Sequence, residues 1–164
     1  MQRDEAINLL KSGISTKEIQ HWADLGCGSG TFTIALAELL APGSEIDAVD
    51  IKRQALPKTH NGVAIHFEQF NFEREQLPYP EPDGILMANS LHYIKDKSRL
   101  IRRLAAPKFI VVEYEHRKAN PWVPYPVNSA ALNDIFSTLG YQTQPLANAP
   151  SRFGGSIYSM VAFK

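Results

Sequence analysis

The sequence predicts an α/β domain in which helices cover both faces of a mostly parallel, doubly wound sheet, with an antiparallel hairpin at its C-terminal edge. Three observations predict it. Strand-like and helix-like segments alternate from His21 to Leu139. Gly84 to Ala88 is a continuously apolar run, as in a strand buried on both faces. The last two strand-like runs have no helix-length segment between them, so they must pair antiparallel.

Taken in order, Arg3 to Lys11 places Ala6, Ile7, Leu9 and Leu10 among polar residues, the pattern of a short amphipathic helix that leans on the domain or covers its site. His21 to Leu25 is a strand ending at three alternating glycines. Thr31 is then placed to cap a helix whose Phe32, Ala35, Leu36 and Leu39 share one face, and Pro42-Gly43 stops it. Glu45 to Ile51 is a second strand closing on Asp50. Lys52 to Gly62, interrupted by Pro57, reads as an irregular crossover into a third strand at Val63 to Phe67. Pro78, Pro80 and Pro82 stiffen the link to Gly84 to Ala88, a fully buried strand. Asp96 to Ala106 is helical, Phe109 to Tyr114 is a strand, and Asn128 to Leu139 is a helix stopped by Gly140. Tyr141 to Leu146 and Ser156 to Phe163 form the terminal hairpin around Gly154-Gly155.

The chain has 164 residues, 44% of them apolar, enough for one core, and residues 1–164 are read as a single domain. No run of about 18 apolar residues occurs, and Arg3, Asp4 and Glu5 interrupt the N-terminal segment where a signal peptide needs apolar residues, so a soluble, cytoplasmic protein is expected. Seventeen Lys and Arg balance seventeen Asp and Glu. No global positive field therefore gathers nucleic acid or an anionic membrane. Cys27 is the one cysteine, which excludes an intramolecular disulfide and a multi-cysteine zinc site and marks Cys27 as a small packing residue. The five histidines show no short metal-ligand spacing.

The glycine turn carries the chemistry. Gly26, Gly28 and Gly30 lie between a strand and a helix, where missing Cβ atoms let backbone approach a ligand. Asp50 ends the next strand twenty residues beyond Gly30, and a carboxylate there can accept from both ribose hydroxyls. The dinucleotide fingerprint needs Gly-x-Gly-x-x-Gly, whereas Thr31 stands at its third glycine position, so the fit to a dinucleotide is poor.

Asp24-Leu25-Gly26-Cys27-Gly28-Ser29-Gly30 resembles the first motif of the class I S-adenosylmethionine-dependent methyltransferases. The resemblance implies a Rossmann-like sheet of strand order 3-2-1-4-5-7-6, S-adenosyl-L-methionine as methyl donor and S-adenosyl-L-homocysteine as product. It also implies cofactor-binding positions. Asp24 lies near the methionine end, Gly26 and Gly28 line the cofactor within a turn completed by Cys27 and Gly30, and Asp50 holds the ribose with Ile51 beside adenine. Asn71-Phe72 occupies the adenine-side position, Asn supplying a carbonyl acceptor where the family commonly has Asp. Asn89 and Ser90 match the fourth-strand end beneath the transferring methyl.

On the substrate side, His92 follows that strand and has the chemistry of a base for a hydroxyl or amine; its alternative is structural capping. Glu113, Tyr114 and His116 end the fifth strand, where ligands of open α/β sheets bind, while Glu115 and Arg117 read equally as a solvated loop. Trp122 and Tyr125, in a segment with Pro121, Pro124 and Pro126, either sandwich a flat or cationic acceptor or pack on the core. Lys95, Arg99, Arg102 and Arg103 make a basic stripe that touches phosphate or is simply a solvated helix face; Glu68, Glu73, Glu75, Glu81 and Asp83 compensate it. The expected activity is methyl transfer to a small organic acceptor, without nucleic acid or membrane. The alternatives are a non-catalytic cofactor-binding subunit, a homodimer or a methyltransferase acting on protein or RNA with a partner chain. No Asn-Pro-Pro-Tyr type motif follows the fourth strand, so the acceptor atom stays open.

Overall fold

A computed structural model describes residues 1–164. Eight strands form one sheet: β1 (His21–Leu25), β2 (Glu45–Asp50), β3 (Thr59–His60), β4 (Val63–Gln69), β5 (Gly84–Ala88), β6 (Lys108–Tyr114), β7 (Gln142–Pro150) and β8 (Ser156–Phe163). Their order is β3-β4-β2-β1-β5-β6-β8-β7. Pairing is parallel from β4 to β6 and antiparallel where β8 joins β6, where β7 joins β8 and where β3 joins β4. The predicted order is therefore present, with one addition. The two-residue β3 folds back on β4 through Asn61-Gly62, both at positive φ, inside the segment read as an irregular crossover.

Strand alternation divides the core in two. Trp22, Ile46, Leu86 and Ile110 face α1 (Arg3–Leu10) and α2 (Thr31–Leu39), whereas Leu25, Ile85, Met87 and Phe109 face α3 (Lys97–Leu104) and α4 (Ser129–Thr138). Every residue of β5 is buried, which accounts for its unbroken apolar run. Gly84 is required there: a Cβ would lie 2.5 Å from the Trp22 ring, so the indole fills the space a side chain would take.

Helix ends follow local chemistry. Asp96 caps α3 by accepting from the Arg99 amide at 3.0 Å, and Asn128 caps α4 by accepting from the Ala131 amide at 2.8 Å. The expected Thr31 cap is corrected: Gly30 is the N-cap of α2, at φ 88°, and Thr31 is its first helical residue. Ala6, Leu9 and Leu10 of α1 join the core beside α2, so this helix packs on the domain and lines neither cavity described below. The links from β2 to β3 and from β4 to β5 carry no helix. No helix is long and apolar enough to cross a membrane.

β5 lies beside β1 on the side opposite β2, so the chain reverses its direction of winding between β1 and β5. The loops after β1, β2, β4 and β5 gather at that switch point, the place where open α/β sheets hold ligands.

Candidate active site

A cavity of about 470 Å³ opens there, its wall built from Gly26 and Gly28 after β1, Asp50 and Ile51 after β2, Asn71 and Phe72 after β4, and Asn89 and Ser90 after β5. The turn is locked by backbone bonds. The amides of Gly26 and Cys27 both donate to the Val49 carbonyl, at 2.8 and 2.9 Å. Gly28 donates to Asp50 Oδ2 at 2.9 Å and Lys52 to Asp50 Oδ1 at 2.8 Å. Each Asp50 oxygen thus spends one acceptor site on orientation and keeps another for a ligand.

Two glycines are needed for different reasons. At Gly26, φ is 83° and a Cβ would lie 2.5 Å from Ser90 Cβ, so only glycine lets the β1 and β5 loops meet. At Gly28, φ is 51° and no atom lies within 4 Å of a Cβ position, so its missing side chain keeps cavity space clear. Gly30 lies off the cavity wall, against Leu56.

Asp24 shares the β1 face of Trp22 and lies buried behind the wall. Its Oδ2 accepts from Thr33 Oγ1 at 2.6 Å, and its Oδ1 has no partner. Burial raises the carboxyl to about 7, the Thr33 hydrogen bond opposing and the Asp50 charge adding. The unfolded chain then loses this proton at lower pH than the folded one, so stability falls as pH rises. A loss on the order of 2 kcal/mol between pH 5 and pH 7 is expected in urea melts, absent in Asp24→Asn. Equal pH dependence of the two proteins would refute it.

Cys27 is buried beside the turn, away from the cavity wall, and burial holds its thiol well above the ordinary range. Ile51, 59% exposed, forms one wall, and Phe72, buried, forms part of another. Asn71 Oδ1 accepts from the Glu73 amide at 3.1 Å. Arg103 clamps the same loop by donating to the carbonyls of Phe72, Glu73 and Glu75. This changes the basic stripe: Arg103 is committed to these carbonyls, and Lys95 precedes α3 altogether. Ser90 donates to the Leu25 carbonyl at 2.6 Å, so its hydroxyl ties β5 to β1. Asn89, at φ 54°, keeps a buried Oδ1 without a partner.

Asn89 and Tyr93 also belong to the wall of a second cavity, of about 560 Å³, whose other residues include His92, Tyr114, Arg117, Trp122 and Phe153. His92 is buried there. Its Nδ1 lies 2.8 Å from Glu113 Oε2, and its backbone amide donates to Glu113 Oε1 at 3.0 Å. The pairing follows from register. Ala88 sits beside Val112, so Glu113 extends from β6 next to the loop that carries His92. Burial pushes the Tyr114 phenol up, with Arg117 opposing.

His116 is exposed and lines neither cavity. Trp122, 76% exposed, lines the second cavity and does not pack on the core. Tyr125 stands outside the wall; its amide donates to the His92 carbonyl at 2.9 Å and its carbonyl accepts from Lys97 Nζ at 2.8 Å. Burial lowers the Lys97 ammonium. Sequence reasoning did not single out Tyr93 or Phe153. Tyr93 directly follows His92, a usable signal, whereas Phe153 reaches the cavity only through the β7–β8 hairpin.

A family model described as "Methyltransferase domain" matches residues 23–106, which span the glycine turn, Asp50, Asn71 and His92. No curated protein sequence matches the chain significantly. Among solved structures, the YcgJ protein from Bacillus subtilis is similar over 98% of this chain and 98% of its own, with TM-score 0.70 and 12% identity. A SAM-dependent methyltransferase from Aquifex aeolicus is similar over 99% of this chain and 98% of its own, with TM-score 0.67 and 14% identity. The magnesium protoporphyrin IX methyltransferase from Synechocystis PCC 6803, solved with bound SAH, is similar over 99% of this chain and 81% of its own, with TM-score 0.66 and 16% identity. At these identities the structures establish the shared fold. Together with the family match and the acid-x-Gly-x-Gly-x-Gly turn at Asp24–Gly30, they identify the chain as a member of the methyltransferase domain family, an S-adenosylmethionine-dependent class I methyltransferase.

Proposed function

We propose that residues 1–164 act as one catalytic domain that methylates a small organic acceptor held in the 560 Å³ cavity, with His92 as its base. One observation carries this reading: two cavities share Asn89 and Tyr93, one built on the Asp50 turn and the other on a buried His92–Glu113 pair. Both volumes suit small ligands.

The first cavity fits the donor on this chain's own geometry. Gly28 leaves it open, Asp50 offers two free acceptor sites for ribose hydroxyls, and Ile51 and Phe72 offer apolar surfaces to adenine. Asn71 retains amide donors and an acceptor site for the base edge. Gly26, Asn89 and Ser90 lie at the floor, with Asn89 Oδ1 needing a partner. Asp24, Cys27 and Gly30 act from behind, by holding the turn.

S-adenosylmethionine, when bound, supplies a methyl carbon on a sulfonium, whose S–C electron pair leaves with sulfur as the acceptor O–C bond forms. Glu113 accepts Nδ1–H of His92 and so leaves Nε2 with its lone pair. Nε2 takes the acceptor hydroxyl proton, and the carboxylate stabilises the imidazolium that results. Tyr114 and Trp122 wall the acceptor space; exposed His116 plays no direct part.

Purified protein incubated with S-adenosylmethionine and a panel of phenols, catechols and hydroxy acids tests this by mass spectrometry. A methyl ether formed in step with S-adenosylhomocysteine is expected. Donor binding without turnover of any small acceptor would defeat the reading and direct attention to protein or RNA acceptors.

A further inference from the structure

The second cavity contains a charge without a counterion. Arg117 forms no ion pair, and its Nη2 is buried without a hydrogen-bond partner. Neither acidic neighbour in sequence pairs with it: both oxygens of Glu113 engage His92, and Glu115 turns its Oε1 to the amide and hydroxyl of Ser129 at the start of α4. No Arg117 side-chain nitrogen forms a hydrogen bond within the protein, so the guanidinium on the cavity wall has donors to offer a bidentate anionic ligand.

The guanidinium is also aimed by its surroundings. Its Cζ lies 4.5 Å from the Tyr114 ring centroid and 6.0 Å from that of Phe153. The contact with the Tyr114 ring holds the guanidinium at the cavity wall, where donors without a protein partner can meet a carboxylate. Around it stand three aromatic residues with large exposed surfaces: Tyr93 at 53%, Trp122 at 76% and Phe153 at 75%. Exposed apolar residues concentrated at one cavity mark a surface that a flat apolar ligand covers.

From these observations we infer that the acceptor site binds a planar aromatic carboxylate, its ring against the exposed aromatics and its carboxylate on Arg117. A cationic acceptor does not fit, because Arg117 already occupies the Tyr114 ring and repels a second positive charge. This inference rests on the acceptor reading of the second cavity. With the carboxylate held at Arg117, a ring hydroxyl is the group presented to His92 on the same wall.

Calorimetric titration of the S-adenosylhomocysteine-loaded protein with 4-hydroxybenzoate, 4-hydroxycinnamate and indole-3-carboxylate, each alongside its neutral amide, and with tyramine tests the inference. At least one acid is expected to bind about tenfold or more tightly than its amide, with tyramine weakest. Arg117→Gln is expected to erase the preference of acid over amide while S-adenosylhomocysteine affinity stays unchanged, which also shows that the variant is folded. The inference is overturned by equal binding of acids and amides, by a preference that survives in Arg117→Gln, or by no acid binding to the loaded protein. Failure of S-adenosylhomocysteine to bind would instead strike the methyl-donor reading, so the two failures are separable.

Discussion

His92→Gln is expected to lower kcat for hydroxyl methylation by about 100- to 10,000-fold, the usual range for a removed general base, and to leave S-adenosylhomocysteine affinity unchanged. Glutamine keeps a polar side chain facing Glu113 but cannot take a proton. Loss of packing alone would slow every acceptor alike. Loss of a base spares an acceptor already ionised in solution, so an acidic nitrophenol should lose far less rate than an ordinary phenol. Single-turnover rates for the two acceptors make the comparison. Equal losses would leave His92 a structural residue, and a kcat within about threefold of the unchanged protein would end its assignment as base. Glu113→Gln should slow the same step, because it removes the carboxylate from Nδ1 and with it the preference for the useful tautomer.

Asp50→Ala should weaken S-adenosylhomocysteine binding by on the order of 100-fold or more, measured by calorimetry on folded protein. Two losses combine: both acceptor sites proposed for the ribose disappear, and the amides of Gly28 and Lys52 lose the carboxylate that holds the turn. Asp50→Asn separates them. It retains one oxygen acceptor, so it should bind more tightly than the alanine variant and less tightly than the unchanged protein. An affinity for Asp50→Ala within about threefold of the original would remove Asp50 from the donor site.

The sheet was readable because strand-like and helix-like runs alternate and because Gly84–Ala88 and the β6 run advertise burial on two faces. Gly84–Ala88 has the same bounds in sequence and structure, and the order from β4 to β7 follows the predicted one. The two-residue β3 was not readable, since two residues carry no periodicity and Pro57 argued for an irregular link. β7 runs on to Pro150 because it is an edge strand, where prolines are tolerated and a bulge between Pro145 and Ala147 absorbs the irregularity. At the site, Asp50 and the glycine turn were legible because a local motif spells them. The His92–Glu113 pair was not: 21 residues separate its members, and only the parallel register of β5 and β6 brings them together. Arg117 likewise read as loop solvation, because burial of one nitrogen and the commitments of Glu113 and Glu115 are properties of the folded chain.

Glu113 belongs to β6, hydrogen-bonded between β5 and β8, whereas Arg117, Trp122 and Phe153 stand on connecting segments outside regular structure. If the proposed roles hold, chemistry and selectivity reside on parts of different replaceability. On the proposed reading, the residue that orients the base stands on a strand held from both sides, while the residues that would choose the acceptor occupy segments that tolerate substitution and insertion. Evolution, or an engineer grafting new loops after β6 and between β7 and β8, could therefore change the compound that is methylated while inheriting the proton-transfer apparatus intact.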